Sequence, residues 1–583
     1  MRILGLSSFT HDTAAALLED GVVRAAAEES KLVRSKNTRG LPEAAIQFCL
    51  KQAGIQWHDL DYVAVSSRPM QGWMRRSWAG ARMFPLSPVA AAYCQVGEVG
   101  RVARELGNFR SLLRPNEAKP TKVLKFEHHL CHAASAFFPS SFERALILTM
   151  DEEGDGQSAM LAIGEGTNIR ALRSMPHPHS LAWLYSRVTG LLGMNPHVDE
   201  HKTQWLSLQG EPIYGDFFRE VLRKREHCLP QIDASYLDHG PGGQFVLSAK
   251  FYQRLGLPEN QRLSDEQRIG LAATIQQVCT EIVTEIVENL RKEHGIEQVC
   301  LGGGLFQNTL LVHSLEQNLG SGKVFVPPAP GNAGCSVGAA LMVQHQVLRA
   351  ARKPSGNNVY VGPSFTRHEI KDILDNCKAR FALQNTEERR ADVMVQLLQA
   401  GKIVGWFQGA AEFGPRALGD RSVLASPWAP YVKENLNDFI KHREWFRPFA
   451  VSVPEEDADK YFECSELCHS MSSLAKIRPE AACLPEAFIL PGNRIRLHVV
   501  ERLSNPALWN LLKRFGTQAP APMLLNTSFN LFGEPLVVSP LDAIRSYSCS
   551  GIDALMINNF LLSKMPVHNA VKPSEFSGTR VTA

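Results

Sequence analysis

Two histidines stand four residues apart in Glu127-His128-His129-Leu130-Cys131-His132. On a helix that spacing puts their Cβ atoms about 5–6 Å apart, close enough for both imidazoles to reach one ion. Two imidazoles rarely suffice, and a carboxylate is wanted. Asp151 closes the apolar run at 145–150, where a turn would aim it back at that helix. Without the glutamate of an HExxH pattern, the spacing alone still favours plain helix-surface histidines. His197 and His201 repeat the spacing in a polar stretch and read as a solvated face.

A second group is cationic. Arg416, Arg421, Lys441, Arg443 and Arg447 fall within 32 residues, between Gly414-Pro415 and Pro448. Guanidinium forks match phosphate and carboxylate oxygens two at a time, so such a cluster suits a polyphosphate or an acyl phosphate. The usual fate of a charge run is an exposed, salt-bridged face. Against that, Phe413, Leu418, Trp445, Phe446 and Phe449 interleave with the charges and would hold them at the wall of a packed site. A third stretch, Asn526-Thr527-Ser528-Phe529-Asn530, is polar and flanked by apolar runs, which fits a hairpin loop or a binding loop equally. Cys464, Cys468 and His469 are the one local thiol cluster; with no second half for a zinc site, they read as core or surface thiols.

These groups need elements to position them. Apolar runs at 3–6, 14–18 and 22–27, with Asp20-Gly21 between the last two, predict strand, strand and hairpin; 41–53 predicts an amphipathic helix. The layout returns at 145–150, 158–163 and 169–172 around an acidic, glycine-bearing turn, which suggests an internal duplication. A helical period over 265–294 stops at Gly295, and a short strand at 299–301 runs into Gly302-Gly303-Gly304 before helical pattern resumes at Phe306. Strand, glycines and helix form a phosphate-contacting arrangement, because glycine lets backbone N–H groups approach a ligand. A further helix is predicted at 334–347 after Pro327-Pro328-Ala329-Pro330-Gly331. Residues 349–363 lose the apolar period and mark a boundary. The second unit then opens with a helical pattern at 393–398 and a strand at 403–407, and the chain frays from Val571.

Length and composition bound the class. At roughly 150 residues per domain, 583 residues make three or four domain-sized units, fewer if they are large. With 44% hydrophobic and 21% charged residues, the chain has material for buried cores and is not broadly disordered. A net charge of +3 gives no electrostatic case for a nucleic-acid or membrane partner. The apolar run at the amino terminus is too short for a signal peptide, no stretch approaches the ~20 residues of a spanning helix, and the twelve cysteines are scattered. The expectation is a cytoplasmic α/β protein with reduced thiols.

Together these residues resemble the O-carbamoyltransferases of antibiotic and nodulation-factor biosynthesis. The matching stretches are His11-Asp12-x-Ala14-Ala15-Ala16-Leu17, Glu28-Glu29, Glu127-His128-His129-Leu130-x-His132-Ala133-Ala134-Ser135-Ala136, and Gly303-Gly304 with Asn308. They continue through Pro327 to Gly331, Glu412-x-Gly414-Pro415-Arg416-Ala417-Leu418-Gly419-x-Arg421-Ser422, Lys441-His442-Arg443-Glu444-x-Phe446-Arg447-Pro448 and Asn526 to Asn530. The resemblance implies an actin-like, duplicated transfer domain over 1–350, a linker over 351–365, a YrdC-like domain over 366–570 and a tail over 571–583. The second domain would use ATP and carbamoyl phosphate to make carbamoyl-AMP, and the first would hand the carbamoyl group to a small-molecule hydroxyl.

Residue by residue, the resemblance implies phosphate and carbamoyl-phosphate binding by Arg416, Lys441, Arg447 and, by a looser match, Arg496. Further cofactor contacts are implied at Gly302, Gly303, Gly304, Asn308, Arg421, Arg443, Asn526 and Ser528. A divalent metal, Fe2+ with Mn2+ or Zn2+ as alternatives, would sit on His128, His132, Asp151 and Asn332, with Mg2+ accompanying ATP. His11 would be the general base, neutral at working pH, with Lys36 beside it. The chain departs from the family pattern twice. Asn332 stands where an aspartate is usual, which predicts weaker metal binding or a different preferred ion. Lys202 survives in His201-Lys202-Thr203-Gln204-Trp205 while its surroundings change, which predicts an unusual acceptor pocket. No nucleic-acid or membrane partner is expected, and the assembly would be a monomer or homodimer. The rivals are an actin-like phosphotransferase, which leaves the cation cluster without work, and a tRNA-modifying transferase, which the small net charge disfavours.

Overall fold

The computed structural model describes residues 1–8, 11–36, 38–68, 71–72, 74–75, 121–224, 229–240, 245–257, 262–353 and 358–564. Arg2–Ser7 (β1), Ala14–Glu19 (β2) and Val22–Glu28 (β3) form an antiparallel meander. Its tight turn places Asp20 and Gly21 at φ 51° and 83°, the left-handed pair that an Asp-Gly hairpin needs. Tyr62–Val65 (β4) and Lys122–Lys125 (β5) add in parallel, giving the order β3-β2-β1-β4-β5. The short helix Glu29–Leu32 (α1) follows β3 and leads on to Glu43–Ala53 (α2), whose first turn the Glu29 carboxylate caps by accepting from the Ala44 and Ala45 N–H groups.

The second sheet repeats the first. Arg144–Gly154 (β6), Gln157–Glu165 (β7) and Asn168–Pro176 (β8) are antiparallel, and Val299–Gly302 (β9) and Val324–Phe325 (β10) add in parallel on the far side of β6. The order β8-β7-β6-β9-β10 and the strand directions are those of the first sheet. Between the sheets lie two helices, His128–Phe137 (α3) and one that begins at Gly334, described below. Alternation along β6 divides its faces: Ala145 and Ile147 pack toward α3, while Leu146, Leu148 and Met150 pack on the opposite side. That opposite side carries Leu181–Leu191 (α4), Glu200–Leu206 (α5) and Asp265–His294 (α6). A Ser264/Gln267 capping box starts α6 and Gly295 at φ 63° ends it, as the sequence predicts. Thr309–Leu319 (α7) follows β9. The helix predicted over 334–347 is α-helical only over Gly334–Leu341 (α8) and widens to i→i+5 turns over Met342–Val347.

The second half is built on an eight-stranded mixed sheet, with a small three-stranded sheet (Phe462–Glu463, Ala475–Ile477, Arg494–Ile495) beside it. In spatial order the strands of the larger sheet are Ala382–Leu383, Phe560–Ser563, Ala554–Ile557, Val404–Phe407, Arg421–Ala425, Leu524–Ser528, Ala450–Pro454 and Leu497–Val500. A helix that the sequence reading did not identify, Arg367–Asn376 (α9), precedes Glu387–Gln399 (α10). It buries only Ile370 and Leu374 among charged neighbours, too sparse a stripe to mark a period. The predicted linker is also not free: Val359 and Val361 are buried, and Val361 O accepts from Ala26 N–H at 3.0 Å.

The two halves are clamped by α1. Lys31 Nζ pairs with Glu28 Oε1 at 2.9 Å and donates to the carbonyls of Glu412 (2.9 Å) and Gly414 (2.8 Å); Gly414 N–H donates back to Glu28. Arg34 donates to Leu536 O. Gly414 has φ 125°, and a Cβ there would stand 2.8 Å from Pro328 O, so only glycine lets this loop seat. A Lys31→Met variant leaves Glu28 buried without its partner. It is expected to lose about 3–5 kcal/mol, read as a lowered urea midpoint; an unchanged midpoint would mean the clamp carries no stability.

Candidate active site

The helix α3 starts on Glu127, whose carboxylate accepts from Leu130 N–H, and presents His128 and His132 on one face. Their Nε2 atoms are 3.0 Å apart, and Asp151 Oδ2 lies 3.0 Å from His132 Nε2 and 3.7 Å from His128 Nε2. All three side chains are buried, so the helix-surface reading is set aside. Ligand atoms held about 2.0–2.2 Å from one ion stand about 3–3.5 Å from one another, so the trio fits a divalent cation. Burial works against its charge, yet hydrogen bonds from His128 and His132 hold the Asp151 carboxyl well below its ordinary range. Cys335, which sequence reasoning missed, brings its thiol within 4.8 Å of donor atoms of both histidines from α8.

Asn332 is buried beside them. Its Nδ2 donates to His11 O at 3.2 Å and lies 3.3 Å from His11 Nε2, while its Oδ1 has no hydrogen-bond partner. A buried, unmatched amide oxygen next to the trio is an acceptor with lone pairs to give, which also fits a cation. The three glycines after β9 serve this centre. Gly303 has φ 101°, and a Cβ there would stand 2.1 Å from Met150 O; a Cβ on Gly304 would stand 3.0 Å from Asp151 Oδ1. Their smallness lets the strand end pass directly behind the carboxylate.

His11 Nδ1 is 2.9 Å from Asp12 Oδ2. Burial by itself would lower its pKa, but the Asp12 hydrogen bond and the charges of Asp12, Asp151 and Glu152 raise it to about 9. In the chain alone the ring is therefore a cation at neutral pH, which corrects the neutral imidazole expected from sequence. The solvated-face reading of His197 and His201 is also corrected. His197 Nδ1 lies 2.6 Å from Glu152 Oε2, and its ring is 6.0 Å from that of His11. His201 is half-buried, and burial followed by the charges of Arg447, Arg416 and Lys202 holds it well below its ordinary pKa. Lys36 is exposed at the same edge; its pKa is lowered by burial, with Asp199 opposing and Lys202 and Arg447 assisting. Acceptor contacts are expected in variable stretches such as Arg68 to Arg114, most of which lies outside the described residues.

Five of the cations come together, and two residues of the implied set stand apart from them. Arg416, Arg443, Arg447, Arg496 and Lys441 feel one another's charge. Burial first, then repulsion by Arg447, lowers Arg416 to about 10 and Arg443 to about 9, and Lys441 and Arg496 fall well below their ordinary values. Arg496 Nε is buried with no hydrogen-bond partner. Lys441 reaches Ser528 O, Asn530 O and Asn530 Oδ1, tying the pocket to the strand 524–528, so the polar stretch there is a central strand and its exit. Asn526 is buried behind it against Ser452 and His498. The two that stand apart are Arg421 and Asn308. Arg421 is fully buried, donates to Gln408, Asp420 and Pro363 carbonyls and lies over the Phe407 ring, so its guanidinium has structural partners. Asn308 caps α7 and pairs with Gln276. Trp445, expected in the wall, is 66% exposed. The Cys464/Cys468 reading stands: Cys468 is buried and Cys464 half-buried, while His469 Nε2 faces Glu455 and Glu501 at 3.4 and 3.5 Å.

His498 accepts from Ser452 and Asn526 in this core, and burial, then the charge of His469, holds its pKa down to about 3. Below the ordinary value the unfolded chain takes a proton that the folded chain refuses. Its contribution to stability is thus whole above about pH 6.5 and lost as pH falls toward 3. Between about pH 7.5 and about pH 5 the wild type is expected to lose about 2 kcal/mol more than a His498→Gln variant in urea melts; parallel losses would refute this.

One 3-10 turn, Gly304–Gln307, joins the two groups. Gly304 backs onto Asp151, and Gln307 O accepts from Arg416 Nη2 at 2.9 Å, with Thr309 Oγ1 at 3.1 Å. At about 2 Å of rise per residue the turn is only about 6 Å long. A cluster of buried cations set against a buried His-His-Asp trio fits a group-transfer enzyme, a transferase. Residues 2–341 match the family described as Carbamoyltransferase N-terminus, and residues 395–564 match Carbamoyltransferase C-terminus. The chain belongs to the carbamoyltransferase family. It is 33% identical to nodulation protein NolNO of Sinorhizobium fredii over 96% of this chain and 80% of the relative. It is 30% identical to the 3'-hydroxymethylcephem-O-carbamoyltransferase of Amycolatopsis lactamdurans over 40% of this chain and 43% of the relative. The solved full-length HypF in its phosphate- and nucleotide-bound form overlaps 60% of this chain and 47% of that one at 13% identity and TM-score 0.30. Among the described residues no helix is long and apolar enough to cross a membrane.

Proposed function

We propose that this carbamoyltransferase is ATP-dependent and works in two pockets. Residues 366–570, read as a YrdC-like domain, bring water to carbamoyl phosphate, which splits into a carbamate fragment and inorganic phosphate. An oxygen of that fragment then attacks the α-phosphorus of ATP, brought in with Mg2+, and pyrophosphate departs to leave carbamoyl-AMP. Residues 1–350, read as an actin-like duplication because the two sheets share one order, pass the carbamoyl group to a hydroxyl of a small natural-product acceptor. Residues 351–365 connect the halves, and 571–583, expected to be a tail, lie outside the described residues.

In the C-terminal pocket Arg416, Arg443, Arg447, Arg496 and Lys441 neutralise the meeting oxyanions and the charge that grows on the leaving group. In the N-terminal pocket His128, His132, Asp151 and the Asn332 oxygen would hold Fe2+, Mn2+ or Zn2+, which would supply Lewis acidity toward the carbamoyl carbonyl. His11 handles the acceptor proton: Asp12 fixes its Nδ1, which leaves Nε2 facing Asn332 and the pocket. Lys36 adds positive charge where the adenylate phosphate arrives.

The observation that supports this reading best is the turn Gly304–Gln307, which sets the two groups back to back. The experiment is incubation with ATP, carbamoyl phosphate and a panel of hydroxyl compounds, scored for the mass gain of one carbamoyl group. Product with no need for ATP, or none with any acceptor alongside no pyrophosphate exchange, would overturn it.

A further inference from the structure

Glu444 sits among cations without belonging to any one of them. Its Oε1 is 2.9 Å from Lys202 Nζ, a charge-assisted hydrogen bond from α5 of the first half. Its Oε2 is 3.7 Å from Arg447 Nη1, too far for a hydrogen bond, and that oxygen is sealed from water with no hydrogen-bond partner. Burial opposes its charge, but the hydrogen bond and charge of Lys202, with the charge of Arg447, keep its carboxyl below the ordinary range. The carboxylates felt by Arg447 are Glu444 and Asp199, and Asp199 is itself 3.2 Å from Lys202. The rest of the pocket repels: Arg416, Arg443, Lys441 and Arg496 are all pushed down by their neighbours' positive charge.

We propose, resting on the reading of the cation pocket as the seat of the anionic co-substrate, that Glu444 is a stand-in counter-ion and a positioning residue for Arg447. It neutralises Arg447 across a gap until an oxyanion takes the guanidinium, and then passes wholly to Lys202. The bidentate hold of a guanidinium on an oxyanion outcompetes an unbonded carboxylate, and the arriving negative charge repels Oε2. The displaced carboxylate is already bonded at its other oxygen, so a small rotation suffices. Lys202 lies beside Asp199 and in the field of Lys36, at the edge of the transfer pocket. Filling one pocket therefore tightens a lysine at the rim of the other, and the coupling is reciprocal.

This arrangement makes a prediction of sign that a merely structural ion pair does not. In the full-length protein Glu444→Gln removes the competitor, so the KM for carbamoyl phosphate in pyrophosphate exchange should fall about five-fold. The Kd for inorganic phosphate by calorimetry should fall in parallel. Lys202→Met leaves Glu444 nowhere else to go, so both constants should rise by about the same factor. In the Glu444→Gln background the Lys202→Met change should have a much smaller effect than alone. Both single variants raising the constants, either leaving them unchanged, or additive effects would overturn the inference. If the wild type shows no exchange with carbamoyl phosphate, the proposed reaction fails. The phosphate calorimetry then still decides the role of Glu444 by the same signs.

Discussion

An Asp151→Asn variant is expected to keep carbamoyl-phosphate-dependent exchange of pyrophosphate into ATP and to lose carbamoyl transfer by roughly 10²–10³-fold. The size follows from position. Among the described residues Asp151 is the one carboxylate paired with the ring nitrogens of both histidines, and both press on its one Oδ2 atom. An amide in its place removes the negative charge that a divalent cation needs and presents an N–H group to the imidazoles. Metal content measured on the purified variant should fall with the transfer rate. Equal loss of exchange and transfer would instead mean that the two chemistries share one pocket.

The second large effect is expected at Arg496. Its Nε has no protein partner, and burial followed by repulsion from Arg416, Arg443 and Arg447 disfavours its charge in the free chain. On the proposed reading that unpartnered guanidinium is held for the anionic co-substrate. Arg496→Met should therefore reduce pyrophosphate exchange by about 10²–10³-fold while raising thermal stability by about 0.5–2 kcal/mol. The opposite signs are the test. A variant that loses both activity and stability would show that the guanidinium belongs to the core, as that of Arg421 does.

The strands, turns and caps of the first half are legible because each is a local signal. Asp20-Gly21 needs two left-handed residues, Gly295 ends a thirty-residue helix, and a four-residue spacing puts His128 and His132 on one face. Asp151 is found by the same logic, since the end of a strand fixes where the next carboxylate points. What the sequence hides is through-space pairing. Arg421 and Arg447 look alike in the chain, yet both terminal nitrogens of one donate to backbone carbonyls and the other is left with a gap. Asn308 matches a binding motif but caps a helix. The pairing of Lys202 with Glu444 joins residues far apart in sequence, with no periodicity to announce it. The His11 pKa depends on its neighbour Asp12 and also on Asp151 and Glu152, which β6 brings from far along the chain.

The clamp made by α1 grips almost nothing but main chain. Lys31 holds two carbonyl oxygens, Arg34 a third, and Glu28 an amide hydrogen. Main-chain atoms are the same whatever residues the loop carries, so apart from Gly414 and the carboxylates of Glu534 and Asp542 beside Arg34, this joint is insensitive to sequence drift. Carboxyl-terminal halves grafted from distant relatives should seat on this amino-terminal half as long as the loop keeps its path. Lys202 and Glu444 read each other's side chains, and a working chimera would have to inherit them together.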